Sequence, residues 1–175
     1  MASYDDYLSA LPKVTYKGRS SGMQRDAVAR LLDGTGVNPE HIGSLSAIHT
    51  HVDLPAGNAA VYNHNEGSMS VVADAHHVSE SGISSVAGGL RHTIAHETGH
   101  RFSHIANPVQ FSQYLDHPQG RGILEADAEN YADQAVPGFH SGYDVRAANG
   151  QVPFDADSYK EMRGMRFGDV GRKLR

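Results

Sequence analysis

Five residues near the middle of the chain, His96-Glu97-Thr98-Gly99-His100, constrain the fold more than any other stretch. On an α-helix, residues four positions apart lie on one face, about one turn from each other. His96 and His100 would therefore point the same way, close enough to bind one metal ion. Glu97 would lie beside that face, where it can reach a metal-bound water without being a ligand. The spacing predicts a metal-binding helix with a carboxylate placed for acid–base chemistry.

The surrounding residues support a helix over about 83–105, or from Leu90 if the pair Gly88-Gly89 delays its start. Apolar side chains such as Ile94 and Phe102 supply a face that can pack on a core. The chain has 12 histidines, and four of them form a ladder with a spacing of four, His92, His96, His100 and His104. Solvated histidines on a helix are therefore the alternative interpretation. We favour the metal site, because this pattern is the signature of zinc metallopeptidases.

Composition narrows the chemistry and the kind of partner. The chain has no Cys, so a zinc site must use histidines and carboxylates. A net charge of -5 argues against a general nucleic-acid binder. The N-terminal residues lack the apolar core of a secretory signal, and no apolar run reaches membrane-spanning length. We therefore expect no membrane partner and a cytoplasmic or virion-associated location.

A catalytic zinc ion needs a third protein ligand, and an acidic helix predicted over 123–136 is its natural source. The sequence after His100 lacks the His-x-x-Gly-x-x-His continuation of metzincins. Two registers of a Glu-x-x-Ala-acid pattern fit, one from Glu125 to Glu129 and one from Glu129 to Asp133. In each, the first Glu would bind the metal and the later acid would bind the far nitrogen of a ligand histidine. We favour Glu129 over Glu125 as the metal ligand. The register from Glu129 to Asp133 places the shorter Asp side chain where it would bind the ligand histidine.

The remaining pattern predicts one domain over residues 20–143, preceded by an arm over 1–19 and followed by a tail over 144–175. A helix is predicted over Gly22–Leu32, capped by Ser20 or Ser21. Strands are predicted at 45–52, 59–62 and 68–73, the last two forming a hairpin around the turn formers at 63–67. The arm and the basic tail are candidate contacts for an assembly partner.

The two motifs together resemble the gluzincin metallopeptidases, in which His-Glu-x-x-His is followed about 30 residues later by Glu-x-x-Ala-Asp/Glu. The register at Glu129 resembles the catalytic domain of anthrax lethal factor-type proteases, and the register at Glu125 resembles ImmA/IrrE-type metallopeptidases. The resemblance covers only residues 92–136. It implies an α+β, zincin-like fold, with a small, mostly antiparallel twisted sheet packed on the active-site helix and a second helix carrying the third metal ligand. An edge strand of such a sheet pairs with the extended substrate, and residues 69–73 are the candidate edge, with an interior strand as the alternative interpretation.

The resemblance also implies a mechanism, the hydrolysis of a peptide bond in a protein or peptide substrate. Zn²⁺ held by His96, His100 and Glu129 would activate a water, and Glu97 would act as general base. A further donor must stabilise the oxyanion, and the candidates are His140 and Tyr143. The alternative function is a zincin-fold structural or assembly protein, for example a phage particle component, with a vestigial or secondary protease site.

Overall fold

The structure is a computed structural model that describes residues 1–81 and 84–163 of the chain. Within these two ranges it contains nine helices and five strands, which makes it a mixed α+β fold. The helices are α1 (Tyr4–Ala10), α2 (Gly22–Leu32), α3 (Pro39–Gly43), α4 (Ala75–Ser81), α5 (Ser84–Ala106), α6 (Pro108–Leu115), α7 (Pro118–Ala135), α8 (Tyr143–Ala148) and α9 (Ala156–Met162). The strands are β1 (Lys13–Tyr16), β2 (Arg19–Ser20), β3 (Ala47–Thr50), β4 (Ala60–Asn63) and β5 (Ser68–Val71). None of the described helices combines the length and apolar character needed to cross a membrane.

The strands form one open sheet in the order β2-β1-β3-β5-β4. The outer pairings β1/β2 and β4/β5 are antiparallel, whereas the central pairings β1/β3 and β3/β5 are parallel. The expectation of a mostly antiparallel sheet is therefore wrong for its centre. The connection from β1 to β3 passes through α2 and α3, which makes it long enough to bring the chain back in the same direction.

The predicted hairpin is confirmed as β4 and β5, but the predicted edge strand is wrong. Residues 69–73 were expected at the edge, and β5 instead lies between β3 and β4. Its Met69 and Val71 side chains are buried, as suits an interior strand. The edge next to the His-Glu-x-x-His helix is β4, which packs against α5.

The helices α5 and α7 pack closely, and small residues allow them to do so. A Cβ atom on Gly99 would lie 2.9 Å from the Cα of Ala128 and 3.1 Å from the Cβ of Tyr131. These distances are below ordinary carbon–carbon contact, so only glycine fits at residue 99 without a shift of α7. Gly99 therefore allows α5 and α7 to come into close contact at Ala128.

Both chain segments outside the predicted domain contribute to the folded structure. In the N-terminal segment, the buried Tyr7 of α1 donates a hydrogen bond of 2.6 Å to the carbonyl oxygen of Val37. In the predicted tail, α9 packs on α7 and on α8, and residues of these three helices and of the loop before α9 form a second small core. Its buried members are Ala126, Ala147, Phe154, Tyr159 and Met162. The last part of the predicted tail, residues 164–175, lies outside the described residues.

Candidate metal centre

The His-Glu-x-x-His motif lies on α5, as the sequence predicts, and the helix begins at Ser84 rather than at Leu90. Gly88 and Gly89 are inside it, facing the ring of Phe139. His96 and His100 lie one turn apart, with ring centres separated by 4.8 Å. The two imidazoles therefore share the face that the spacing requires.

The helix α7 brings a carboxylate to the same point. Glu125 Oε2 lies 3.2 Å from His96 Nε2 and 3.6 Å from His100 Nε2. A tetrahedral zinc ion with bonds of 2.0–2.1 Å separates its ligand atoms by about 3.3 Å. Both separations to Glu125 Oε2 are close to that value, and the three ligand atoms all lie within 4.8 Å of one another. His96, His100 and Glu125 could together hold a metal ion.

Glu129 is on the other side of the His96 ring. Its Oε2 lies 2.8 Å from His96 Nδ1, and its other oxygen accepts a hydrogen bond from the Ser141 hydroxyl. The Glu129 side chain is only 1% exposed. The geometry therefore differs from the expectation that Glu129 joins His96 and His100 as the third ligand. The geometry matches the other register. In that register Glu125 faces the Nε2 atoms of the two histidines, and Glu129 binds Nδ1 of His96.

The last acid of α7, Asp133, also has a different partner from the one expected. Its Oδ1 lies 3.2 Å from Nε2 of His92, and its Oδ2 accepts a hydrogen bond of 2.8 Å from Arg163. His92, Glu129 and Asp133 form a second group that could hold a metal by residue type. The carboxylates of this second group already bind Arg163, Ser141 and His96. We therefore interpret the second group as hydrogen-bonding support for the His96, His100 and Glu125 site. In the sequence, the only indication of a role for His92 is that it precedes His96 by the same spacing of four.

The charges of the cluster follow from its burial and hydrogen bonds. Burial alone would lower the pKa of His96, but the hydrogen bonds to Glu125 and Glu129 outweigh it and raise that pKa well above its ordinary value. Burial would likewise raise the pKa of Glu125, but His100 and His96 hold it well below the usual range. Both shifts favour a protonated His96 paired with an ionised Glu125. A metal ion would have to displace that proton, which couples metal affinity to pH.

Glu97 lies beneath the edge strand and is 7% exposed. Burial is the main reason that its pKa is raised, and the backbone N–H of Tyr62 in β4 acts in the opposite direction. In the β4/β5 pairing, Val72 N–H donates to the carbonyl of Ala59. From this pair onward, residues of β4 that hydrogen-bond to β5 alternate with residues that do not. The backbone N–H and C=O groups of Ala60 and Tyr62 consequently point away from β5, toward the open side of β4. Sequence analysis missed this strand edge, because pairing order is a long-range property.

The two predicted oxyanion donors have different positions. The Tyr143 ring stacks on His96, with ring centres 5.6 Å apart and planes 7° apart. Burial raises the pKa of Tyr143 above its ordinary value, so its hydroxyl stays protonated at neutral pH. His140 is exposed and does not line either cavity of the site. The structure thus brings Tyr143 to the cluster and leaves His140 at the surface.

Two cavities flank the cluster and share Ala60, His96, Glu97 and Tyr143 in their walls. The larger, of about 540 Å³, runs along the N-terminal half of α5. Most of its wall is apolar: Ala73, Val78, Val86, Leu90 and Phe139. The smaller, of about 270 Å³, lies toward the C-terminal half of α5, next to Phe111 and Phe154. Together they form a cleft between β4 and α8, with the histidines and Glu97 at its centre.

The chain was compared with known protein families, with curated proteins and with solved structures, and no match was found in any of the three.

Proposed function

We propose that this protein is a zinc-dependent peptidase whose metal ligands are His96, His100 and Glu125. One observation carries the proposal: the ligand atoms of His96, His100 and Glu125 lie within 4.8 Å of one another, beside a buried Glu97 and under an edge strand. A site of this kind has a base, a metal position and a surface for an extended peptide together. The proposal replaces Glu129 by Glu125 as the third ligand.

The donor set fits zinc. Two imidazole nitrogens and one carboxylate oxygen are the ligands of known catalytic zinc sites, which keep a fourth position open. The chain has no thiolates to compete. When bound, the ion would polarise the scissile carbonyl and lower the pKa of a water in the open position. Glu97 favours catalysis over a structural role, because a purely structural zinc site needs no neighbouring base.

The residues of the chain have separate tasks in this proposal. Glu97 takes the proton of the attacking water and passes it to the leaving amine. The open edge of β4 binds the substrate backbone through the N–H and C=O groups of Ala60 and the C=O of Tyr62, because the Tyr62 N–H already faces Glu97. Tyr143 donates a hydrogen bond to the oxyanion, for which its raised pKa keeps it protonated.

Glu129 acts through His96 in the same scheme. It accepts the Nδ1–H hydrogen bond, which leaves Nε2 of His96 as the nitrogen that faces Glu125. Such outer partners fix the ring orientation and make the imidazole a stronger ligand. Ser141 binds the other Glu129 oxygen and so holds the carboxylate in place.

Zinc content and peptide cleavage test the proposal. We expect about one zinc per chain in the purified protein, and cleavage of unstructured protein substrates that is lost in Glu97→Gln with the zinc retained. Equal cleavage by both forms would exclude Glu97 as the base, and a wild-type protein without zinc affinity would exclude the site.

The ligand assignment has its own test in a pair of matched variants on one helix. Glu125→Gln should lose zinc binding almost completely. Glu129→Gln, which keeps a hydrogen-bonding oxygen, should lower zinc affinity by only about 10–100-fold. The reverse order would restore Glu129 as the ligand.

A further inference from the structure

The large cavity has one cationic side chain at its rim. Arg146, on α8, is the only Lys or Arg among the described residues that line it. The guanidinium carbon lies 4.4 Å from the centre of the Tyr143 ring, within cation–π distance, and the residue as a whole is exposed. Arg146 therefore presents a positive charge next to an apolar space.

This charge has no acidic partner in the part of the chain that the structure describes. Arg146 forms no ion pair with a residue in that part. The acid next to it in the helix, Asp144, is bound by Arg163 at 2.7 and 2.8 Å and by the Tyr159 hydroxyl at 2.8 Å. Because Asp144 is occupied, the guanidinium of Arg146 remains available to a carboxylate from another molecule.

The distance from Arg146 to the His96 ring limits how many residues can separate that carboxylate from the centre of the cleft in a bound peptide. Two stacking contacts, 5.6 Å from His96 to Tyr143 and 4.4 Å from Tyr143 to Arg146, place the guanidinium within about 10 Å of the His96 ring. An extended chain advances about 3.3–3.6 Å per residue. The carboxylate would therefore lie about two to four residues from the bond at the centre of the cleft.

From these observations we propose that the cleft selects peptides that carry a bulky apolar side chain for the large cavity and, two to four residues away from it, a carboxylate for Arg146. The carboxylate comes either from an Asp or Glu side chain or from the C-terminus of the substrate. Both present the same planar pair of oxygens, which a guanidinium binds through two parallel hydrogen bonds. The inference rests on the proposed peptidase function, because it assumes that a peptide occupies the cleft.

Binding can test the selection without cleavage. The zinc-loaded Glu97→Gln protein is titrated into fluorescent decapeptides that contain one Leu, and fluorescence anisotropy gives the Kd. In one arm the peptides are C-terminally amidated, and the residues two to four places from Leu are Asp, Asn or Lys in turn. In the other arm all side chains are neutral, and the peptide ends two to four residues after Leu. Peptides with a free C-terminus are then compared with amidated ones. The arm that shows the preference identifies the source of the carboxylate.

We expect about tenfold tighter binding for Asp than for Asn, or for the free than for the amidated terminus, and a smaller ratio at high salt. Adding Arg146→Gln should bring the ratio near one, and Arg146→Glu should reverse it in favour of Lys. Arg30→Gln is the matched control, because Arg30 also lies over a tyrosine ring, that of Tyr4, but on α2. It should leave the ratio unchanged.

The outcomes separate this inference from the proposed function. A ratio near one in the Glu97→Gln protein, a failure to bind any of the peptides, or a ratio unaffected by Arg146→Glu would overturn the inference. If the preference is found and the wild-type protein cleaves none of the same peptides, the inference stands and the peptidase proposal fails. If the wild-type protein cleaves peptides without the preference, only the inference fails.

Discussion

Substituting Gly99 by Ala tests how closely the two helices of the metal centre pack. The new Cβ would lie 2.9 Å from Ala128 Cα, 3.1 Å from Tyr131 Cβ and 3.2 Å from the Ala128 carbonyl oxygen. Two of these atoms are backbone, so α7 must move. Overpacking of this kind costs ~1–3 kcal/mol, and the better helix propensity of Ala offsets ~0.5–1 kcal/mol. We expect a net loss of ~1–2 kcal/mol in the free energy of unfolding, which lowers the Tm by about 5 °C for a chain of this size.

The same substitution should weaken metal binding, because Ala128 is one turn from Glu125. Metal ligands tolerate errors of only about 0.2 Å, so a shift of α7 should lower zinc affinity by about tenfold. Thermal unfolding of the metal-free protein gives the stability, and competition with a chelator gives the affinity. Gly88→Ala on the same helix is the control: its Cβ would meet only Phe139 at an ordinary 3.4 Å, and we expect a gain of ~0.5–1 kcal/mol. A Gly99→Ala protein that melts at or above the wild-type temperature would refute the close contact.

Three further predictions concern other parts of the site. Tyr143→Phe should lower kcat by about a hundredfold and leave zinc content unchanged, as kinetics with metal analysis can show, whereas an unchanged kcat would exclude Tyr143 as the oxyanion donor. Arg163→Gln should lower the Tm at neutral pH. Arg163 holds the pKa of Asp144 below its ordinary 3.8, so this stabilisation is present above about pH 4 and is lost as the pH falls through the depressed pKa. The Tm difference between the two proteins should therefore shrink in acid, and a constant difference would count against the ion pair. Thr93→Phe should fill part of the large cavity and shift the preferred peptide side chain from Leu toward Ala, and a constant preference would mean that this side chain binds elsewhere.

The local part of the site could be predicted from the sequence, because it depends on helix periodicity. His96, Glu97 and His100 are on one helix, and their mutual geometry follows from the spacing alone. The choice between Glu125 and Glu129 could not be made in the same way. Both acids share a face of α7, and which one meets the Nε2 atoms depends on how far α7 slides along α5. That offset is set by the contact of Gly99 with Ala128, which is a tertiary feature.

The sheet shows the same division between local and long-range information. The β4/β5 hairpin follows from its turn residues and alternating pattern, and it was predicted. The position of β5 inside the sheet depends on its parallel pairing with β3, across a separation that no local pattern records. The helices α8 and α9 were missed for a related reason, because they are short and gain their stability by packing on other helices rather than from their own propensity. This is also why Tyr143 could be chosen as a candidate while its stacking on His96 could not.

The open edge of β4 has a consequence for the physical state of anything that binds it. A segment can pair with this edge only if its own N–H and C=O groups are free, which is true of an extended chain and not of a strand or helix inside a folded domain. Pairing in the cleft would also fix the backbone of each bound residue, at a cost of ~1–2 kcal/mol per residue. A locally unfolded segment that already favours the extended conformation loses less conformational entropy when it binds. The proposed peptidase activity should therefore act on linkers, termini and unfolding intermediates, and the folding stability of a partner would determine how fast it is cut.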